Sequence, residues 1–163
     1  MAKQIGYWIL LVSIIFSSSA FAVDRVDKVY VEKSKRKLHL LHKQRIVRTY
    51  DISLGRQPIG HKQYRGDSRT PEGRYNIDYR NPKSRFTLSL HISYPNSQDT
   101  NRARAKGRSP GGDIFIHGLP KGMKEYDFFY GRDWTDGCIA VSNKAIKEIW
   151  HLVSNGTPIE IAP

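Results

Sequence analysis

Cys138 is the only thiol in the 163-residue chain, and it stands behind Thr135-Asp136-Gly137 at the head of the apolar run Ile139-Ala140-Val141. A lone cysteine cannot close an internal disulfide. Two readings fit it: a small buried apolar residue, or a nucleophile kept for its reactivity. The thiolate is the form that attacks carbonyls, and a neighbouring imidazole both removes the proton and stabilises the anion. His117 offers such an imidazole 21 positions earlier, at the end of Ile114-Phe115-Ile116 and followed by Gly118. A histidine ending an apolar strand is also an ordinary core residue, so position alone leaves both roles open. Gly137 permits a tight turn in front of Cys138, which would direct the local N–H groups at a developing oxyanion. Nucleophile, base and oxyanion site together are the requirements of acyl transfer.

The remaining polar residues divide less sharply. His91, in Ser89-Leu-His-Ile-Ser-Tyr94, either lines a cleft beside Cys138 or belongs to the core. His91, His117 and Cys138 are all legitimate zinc ligands, but no C-x-x-C or H-E-x-x-H pair is present, so neither a metal nor a cofactor is expected. Tyr94 and Asn96 shape the cleft or simply make a turn around Pro95. The stretch Leu119 to Trp134 carries Met123, Tyr126, Phe128, Phe129 and Tyr130. A segment this aromatic forms a lid over a substrate or a cap on the core. Arg132 and Asp133 follow, close to the nucleophile in sequence.

Short strands must carry these groups. Alternating or continuous apolar residues predict strands over Val26–Val31, Lys37–Leu41, Arg45–Leu54, Arg74–Tyr79, Leu88–Tyr94, Asp113–His117, Cys138–Val141 and Pro158–Ile161. Thr70-Pro71-Glu72-Gly73 has the residues of a type I turn. A short helix is expected over Asp99–Lys106, closed by Gly107. A longer one starts at Ser142 as N-cap, with Ile146, Ile149, Trp150 and Val153 on one face, and stops at Gly156. The expected fold class is mainly β with one or two helices.

Residues 1–22 read as a secretory signal peptide: Lys3, a short apolar run from Ile9 to Phe16, then Ala20-Phe21-Ala22 as an A-x-A cleavage site. The apolar run falls short of the roughly 20 residues of a membrane span, so the membrane is met only through the leader before its cleavage. Residues 23–163 then form one domain, exported to the periplasm or cell envelope. The formal charge of the chain is +12. Export removes nucleic acid as a partner, whereas an anionic envelope polymer bearing free carboxylates, such as peptidoglycan, suits the same electrostatics.

His117-Gly118 followed by Thr135-Asp136-Gly137-Cys138 resembles the signature of the L,D-transpeptidase (YkuD-type) catalytic domain, His-Gly and then Ser/Thr-x-Gly-Cys. Gly66-Asp67, Thr70-Pro71-Glu72-Gly73-Tyr75 and Ser93-Tyr94-Pro95-Asn96 extend the resemblance over nearly all of the chain beyond the leader. It implies a β-sandwich of mixed sheets and a Cys/His mechanism on peptidoglycan tetrapeptide stems. In it Cys138 is the nucleophile, His117 the general base, and the backbone N–H groups of Gly137 and Cys138 the oxyanion hole. Gly118, Trp134, Thr135 and Asp136, with His91, Tyr94 and Arg132, are the candidate substrate contacts. A backbone carbonyl in the stretch of Thr135 or Asp136 would orient the imidazole. Many members carry Arg two residues after the nucleophile, where this chain has Ala140. Arg132 is the candidate to supply the missing cation. A branch with Ala at this place includes a hydrolase that releases a peptidoglycan-bound lipoprotein. The resemblance therefore implies cross-linking or remodelling of the cell wall, with two alternatives. One is a hydrolase on the same scaffold, a carboxypeptidase or an amidase releasing an attached lipoprotein; the other is a non-catalytic peptidoglycan-binding module.

Overall fold

The computed structural model describes residues 25–123 and 132–163. The leader and the aromatic residues Tyr126, Phe128, Phe129 and Tyr130 of the expected lid lie outside them. Eight strands form a single mixed sheet: β1 (Lys28–Glu32), β2 (Lys37–His42), β3 (Arg45–Asp51), β4 (Gly73–Asn81), β5 (Ser89–Ile92), β6 (Phe115–His117), β7 (Ile139–Ala140) and β8 (Pro158–Ala162). Helix α1 (Ser97–Ala105) precedes β6, and α2 (Asn143–Leu152) precedes β8. The order across the sheet is β3-β2-β1-β8-β4-β5-β6-β7. Pairs β1–β8 and β6–β7 are parallel and the others antiparallel. The mostly β class with two helices is thus the observed one.

The sheet curls until its two ends meet. After β3 the chain continues past the sheet edge, and Ser53 and Ala140 exchange two backbone hydrogen bonds of 2.9 Å. Leu54 O then accepts from Thr135 N at 3.1 Å, and Arg56 N donates to Thr135 O at 3.0 Å. Residues 53–56 therefore run beside the segment that carries Cys138. The expected strand Arg45–Leu54 is split here: its first part is a solvent-facing edge strand, with Ile46 exposed, and its last residues become the closing partner of β7. Curling gives the sheet one concave side, filled by Val29, Leu38, Ile77, Ile92, Ile116 and Ile139, and α2 presses Ile146 and Ile149 against them.

Two local outcomes differ from the sequence expectation. No turn forms at Thr70–Gly73; the turn lies at Arg65-Gly66 instead. Lys33, 2% exposed, sends its ammonium to Gly60 O (2.8 Å), Thr70 O (3.2 Å) and Glu72 Oε1 (2.7 Å), holding residues 70–72 extended as they enter β4. A buried ammonium must be satisfied, and this one is satisfied by straightening the loop. Helix α1 begins two residues earlier than expected because Asn96 is its N-cap. The Asn96 side chain accepts from Asp99 N at 3.0 Å, and Asp99 Oδ2 accepts from Asn96 N at 3.1 Å, a reciprocal box written in the sequence as Asn-x-x-Asp.

Candidate active site

Strands β6 and β7 lie side by side and parallel, with Ile116 opposite Ile139 and His117 opposite Ala140. Cys138 thus sits one strand over from His117 and two residues before its partner, at a spacing of about 4.8 Å between strand axes. Both line one cleft of about 620 Å³, whose walls include Ser84, Arg85, Phe86, Phe115, Trp134 and Thr135. A second groove of about 430 Å³, with Lys62, Arg65 and Gly111 in its walls, reaches Cys138 from the other side, and the two meet at Asp113 and Asp136.

The imidazole of His117 is 3% exposed and sandwiched. Phe86 packs against it with ring centroids 4.4 Å apart, and Trp134 meets it edge-on at 5.7 Å. Its Nδ1 lies 2.7 Å from Gly118 O. A carbonyl only accepts, so Nδ1 carries the proton and Nε2 keeps its lone pair. The orienting carbonyl therefore comes from the residue after the histidine, and not from Thr135 or Asp136. Burial, reinforced by the Arg85 charge and opposed by the Gly118 carbonyl, pushes the His117 pKa down to about 4. At neutral pH the ring is a neutral base.

Cys138 is partly exposed, and its Sγ donates to Asp113 O at 3.5 Å. Asp113 aims that carbonyl from a left-handed backbone (φ 56°), a conformation aspartate tolerates better than most residues. Burial raises the thiol above its ordinary pKa, and the Phe115 backbone, which favours the anion, only partly offsets it. The resting pair is thus thiol and imidazole, both uncharged.

The turn before Cys138 is held by Thr135. Its buried hydroxyl donates to Cys138 O at 2.7 Å and accepts from Gly137 N at 3.1 Å. The Gly137 N–H, which the sequence assigns to an oxyanion hole, is thereby directed into the loop. Gly137 itself has φ +128°, and a Cβ there would stand 2.6 Å from Arg69 O; only glycine makes this turn. Gly118 is equally confined, since a Cβ would meet Asn143 Oδ1 at 2.7 Å and Ile146 Cγ2 at 2.8 Å. Asn143, the first residue of α2, accepts from Leu119 N and Thr87 Oγ1, both at 2.9 Å, tying the loops on either side of His117 to the helix.

The other sequence candidates are distributed unevenly. Trp134, Thr135 and Asp136 line the cleft. Asp136 is exposed and paired with Arg56. His91 and Tyr94 do not line it. His91 points to Asp78 (2.6 Å) and stacks edge-on against Phe115; Tyr94 is buried, with its hydroxyl on Pro110 O at 2.9 Å. Arg132 is exposed and also outside the cleft walls. Ala140 is fully buried and packs with Leu119 and Trp134, so the space beside it is apolar. The loop over residues 82–87, with Lys83, Arg85 and Phe86, went unread in the sequence because it has no periodicity and touches His117 only through the fold. Among the described residues no three His, Cys, Asp or Glu side chains are grouped so as to hold a metal ion.

The model of the L,D-transpeptidase catalytic domain (YkuD) matches residues 27–161. YafK of Escherichia coli K12 is 30% identical over 134 residues, covering 77% of this chain and 47% of its own length. The chain thus spans about half the length of this curated relative. Among solved structures, the helical cell shape determining protein Pgp2 of Campylobacter jejuni superposes with a TM-score of 0.66 at 26% identity, over 85% of this chain and 48% of that one. An L,D-transpeptidase from Xylanimonas cellulosilytica shares the fold with a TM-score of 0.57 at 17% identity, over 86% of this chain and 62% of that one.

Proposed function

Because the chain belongs to the L,D-transpeptidase catalytic domain family, we propose that it is an exported cysteine acyltransferase acting on peptidoglycan tetrapeptide stems. The observation that carries this reading is that His117 at the end of β6 and Cys138 just before the adjacent parallel strand β7 line one cleft, with the imidazole held as a neutral Nε2 base. His117 Nε2 takes the thiol proton as Sγ forms a bond to the carbonyl carbon of the third stem residue. The oxyanion is met by the Cys138 N–H, joined by that of Gly137 once it leaves the Thr135 hydroxyl. The intermediate collapses, the carbon–nitrogen bond to D-alanine breaks, and the imidazolium returns its proton to the departing amine. An amine then attacks the thioester, giving a cross-link or an attached lipoprotein, and restores the thiol. Two grooves meeting at Cys138 suit a donor on one side and an acceptor on the other. Export places the enzyme in the periplasm or cell envelope.

Hydrolysis is the second reading, and Ala140 favours it. Where the family commonly has an arginine, Trp134 and Leu119 close over a methyl group, and position 140 itself supplies no guanidinium to orient an acceptor's carboxylate. Water then resolves the acyl-enzyme, trimming stems or releasing an attached lipoprotein. To separate the readings, the protein from Val23 onward and its Cys138→Ala variant are incubated with tetrapeptide muropeptides and analysed by mass spectrometry. Loss of D-alanine with new dimers, both absent in the variant, supports transfer. Trimming without dimers supports hydrolysis. Identical binding and no chemistry with either protein would leave a peptidoglycan-binding module.

A further inference from the structure

The cleft is charged unevenly. Asp113 and Asp136 flank Cys138, while the loop between β4 and β5 places Lys83 and Arg85 in the wall on the His117 side. Asp136 has its own cation in Arg56. Lys83 and Arg85 are exposed, and neither side chain has a carboxylate partner among the described residues.

Arg85 nonetheless rests against a ring and sits on a pinned loop. Its guanidinium carbon lies 5.0 Å from the centre of the Phe86 ring, which in turn packs on His117. The loop beneath is pinned at several points. Phe86 N donates to the buried Ser84 hydroxyl at 3.0 Å, and Arg85 O accepts from Lys121 N at 2.9 Å. Thr87 is tied to Asn143 of α2. A guanidinium in a cleft wall, carried on a pinned loop, can receive a planar anion on two N–H donors, and a second cation beside it adds attraction without geometry.

We infer that Arg85, supported by Lys83, binds a substrate carboxylate next to the attacked carbonyl. The inference rests on the acyl-transfer reading, and it names the group that orients the donor stem. Two carboxylates qualify by chemistry: the terminal carboxylate of the leaving residue, and one carried on the side chain of the residue whose carbonyl is attacked. Docking either one cancels positive charge near His117 and strengthens the base when the substrate arrives. The carboxylate then affects turnover as well as binding.

Calorimetric titration of the Cys138→Ala protein, where nothing turns over, tests this. Three synthetic tetrapeptide stems serve as probes: the free acid, the peptide amidated at its terminus, and the peptide amidated on the side-chain carboxyl. One of the two amides is expected to bind roughly tenfold more weakly than the free acid, the loss of one charged hydrogen-bonded pair. Which amide it is identifies the carboxylate. With Arg85→Gln added, the free acid should fall by the same factor and all three peptides become equivalent; Arg85→Lys should restore part of the affinity. Undiminished binding with Arg85→Gln, discrimination that survives it, or no binding of any peptide overturns the carboxylate site. Turnover by the protein with Cys138 intact is scored separately. Turnover without Arg85 dependence in binding sinks only this inference, whereas Arg85-dependent binding with no turnover sinks only the acyl-transfer reading.

Discussion

His117 is held neutral by its surroundings, and that has a thermodynamic signature. An unfolded histidine titrates near its ordinary value of about 6.5, whereas the folded ring titrates at about 4. Between those values the unfolded state binds the extra proton, so stability rises with pH across this window and is lost on acidification from about 6.5 to 4. The swing is on the order of 3 kcal/mol. Urea unfolding of the native protein at a series of pH values should show it, and His117→Gln should flatten the slope in that interval. Thr135 makes a second residue-level case. Thr135→Val strands the Gly137 N–H and the Cys138 carbonyl of a buried turn, at a cost of about 1–3 kcal/mol. It should lower kcat more than it raises KM, while Thr135→Ser stays near the parent on both constants. Cys138 and His117 could be picked out in the sequence as candidates because their types and spacing resemble a known signature, and Thr135 only as a candidate substrate contact. The Gly118 carbonyl could not, since a backbone oxygen has no letter of its own.

The segments that place these residues are tied together by side chains from remote parts of the chain. Arg36, in the β1–β2 turn with φ 53°, binds Asp133 with Nη2–Oδ2 at 2.7 Å, and Asp133 Oδ1 also accepts from Leu54 N at 2.9 Å. This clasp sits immediately before Trp134, whose edge meets His117. Asp133→Ala should cost about 1–3 kcal/mol in chemical denaturation, because it leaves a partly buried guanidinium and an N–H unpaired. It should also quench the contrast in Trp134 fluorescence between free and peptide-bound protein. At β7, Ala140→Arg would drive a guanidinium into the contact with Leu119 and Trp134. Its expected outcome is a thermal midpoint lower by several degrees, with no gain of transfer over hydrolysis in the muropeptide assay. The strands and α2 were legible because period-2 and period-3.6 patterns are local properties of the chain. The Arg36–Asp133 clasp, the straight passage of Thr70–Gly73 and the Arg85–Phe86 wall were not. Each depends on a partner dozens of residues away, about which local pattern is silent.

At the scale of the whole molecule, the formal charge of +12 should make attachment to isolated cell-wall sacculi strongly salt-dependent. Pelleting with sacculi is expected at low ionic strength and to fall away as the Debye length shortens from about 10 Å at 0.1 M to about 3 Å at 1 M. Cleavage of a small, free stem peptide should respond far less. The closing of the sheet has a further consequence, for the order in which the protein becomes itself. Strand β7 is two residues long and takes one neighbour from β6 and the other from Ser53, far back in the chain. Neither the first third of the chain nor the last can set the thiol by itself, since its supports arrive from both. Such a joint forms late, because its loop-closure entropy is met only after the intervening strands have paired. A chain still emerging, or truncated before α2, thus carries Cys138 outside the cleft it shares with His117, and that pairing appears only with completion of the fold.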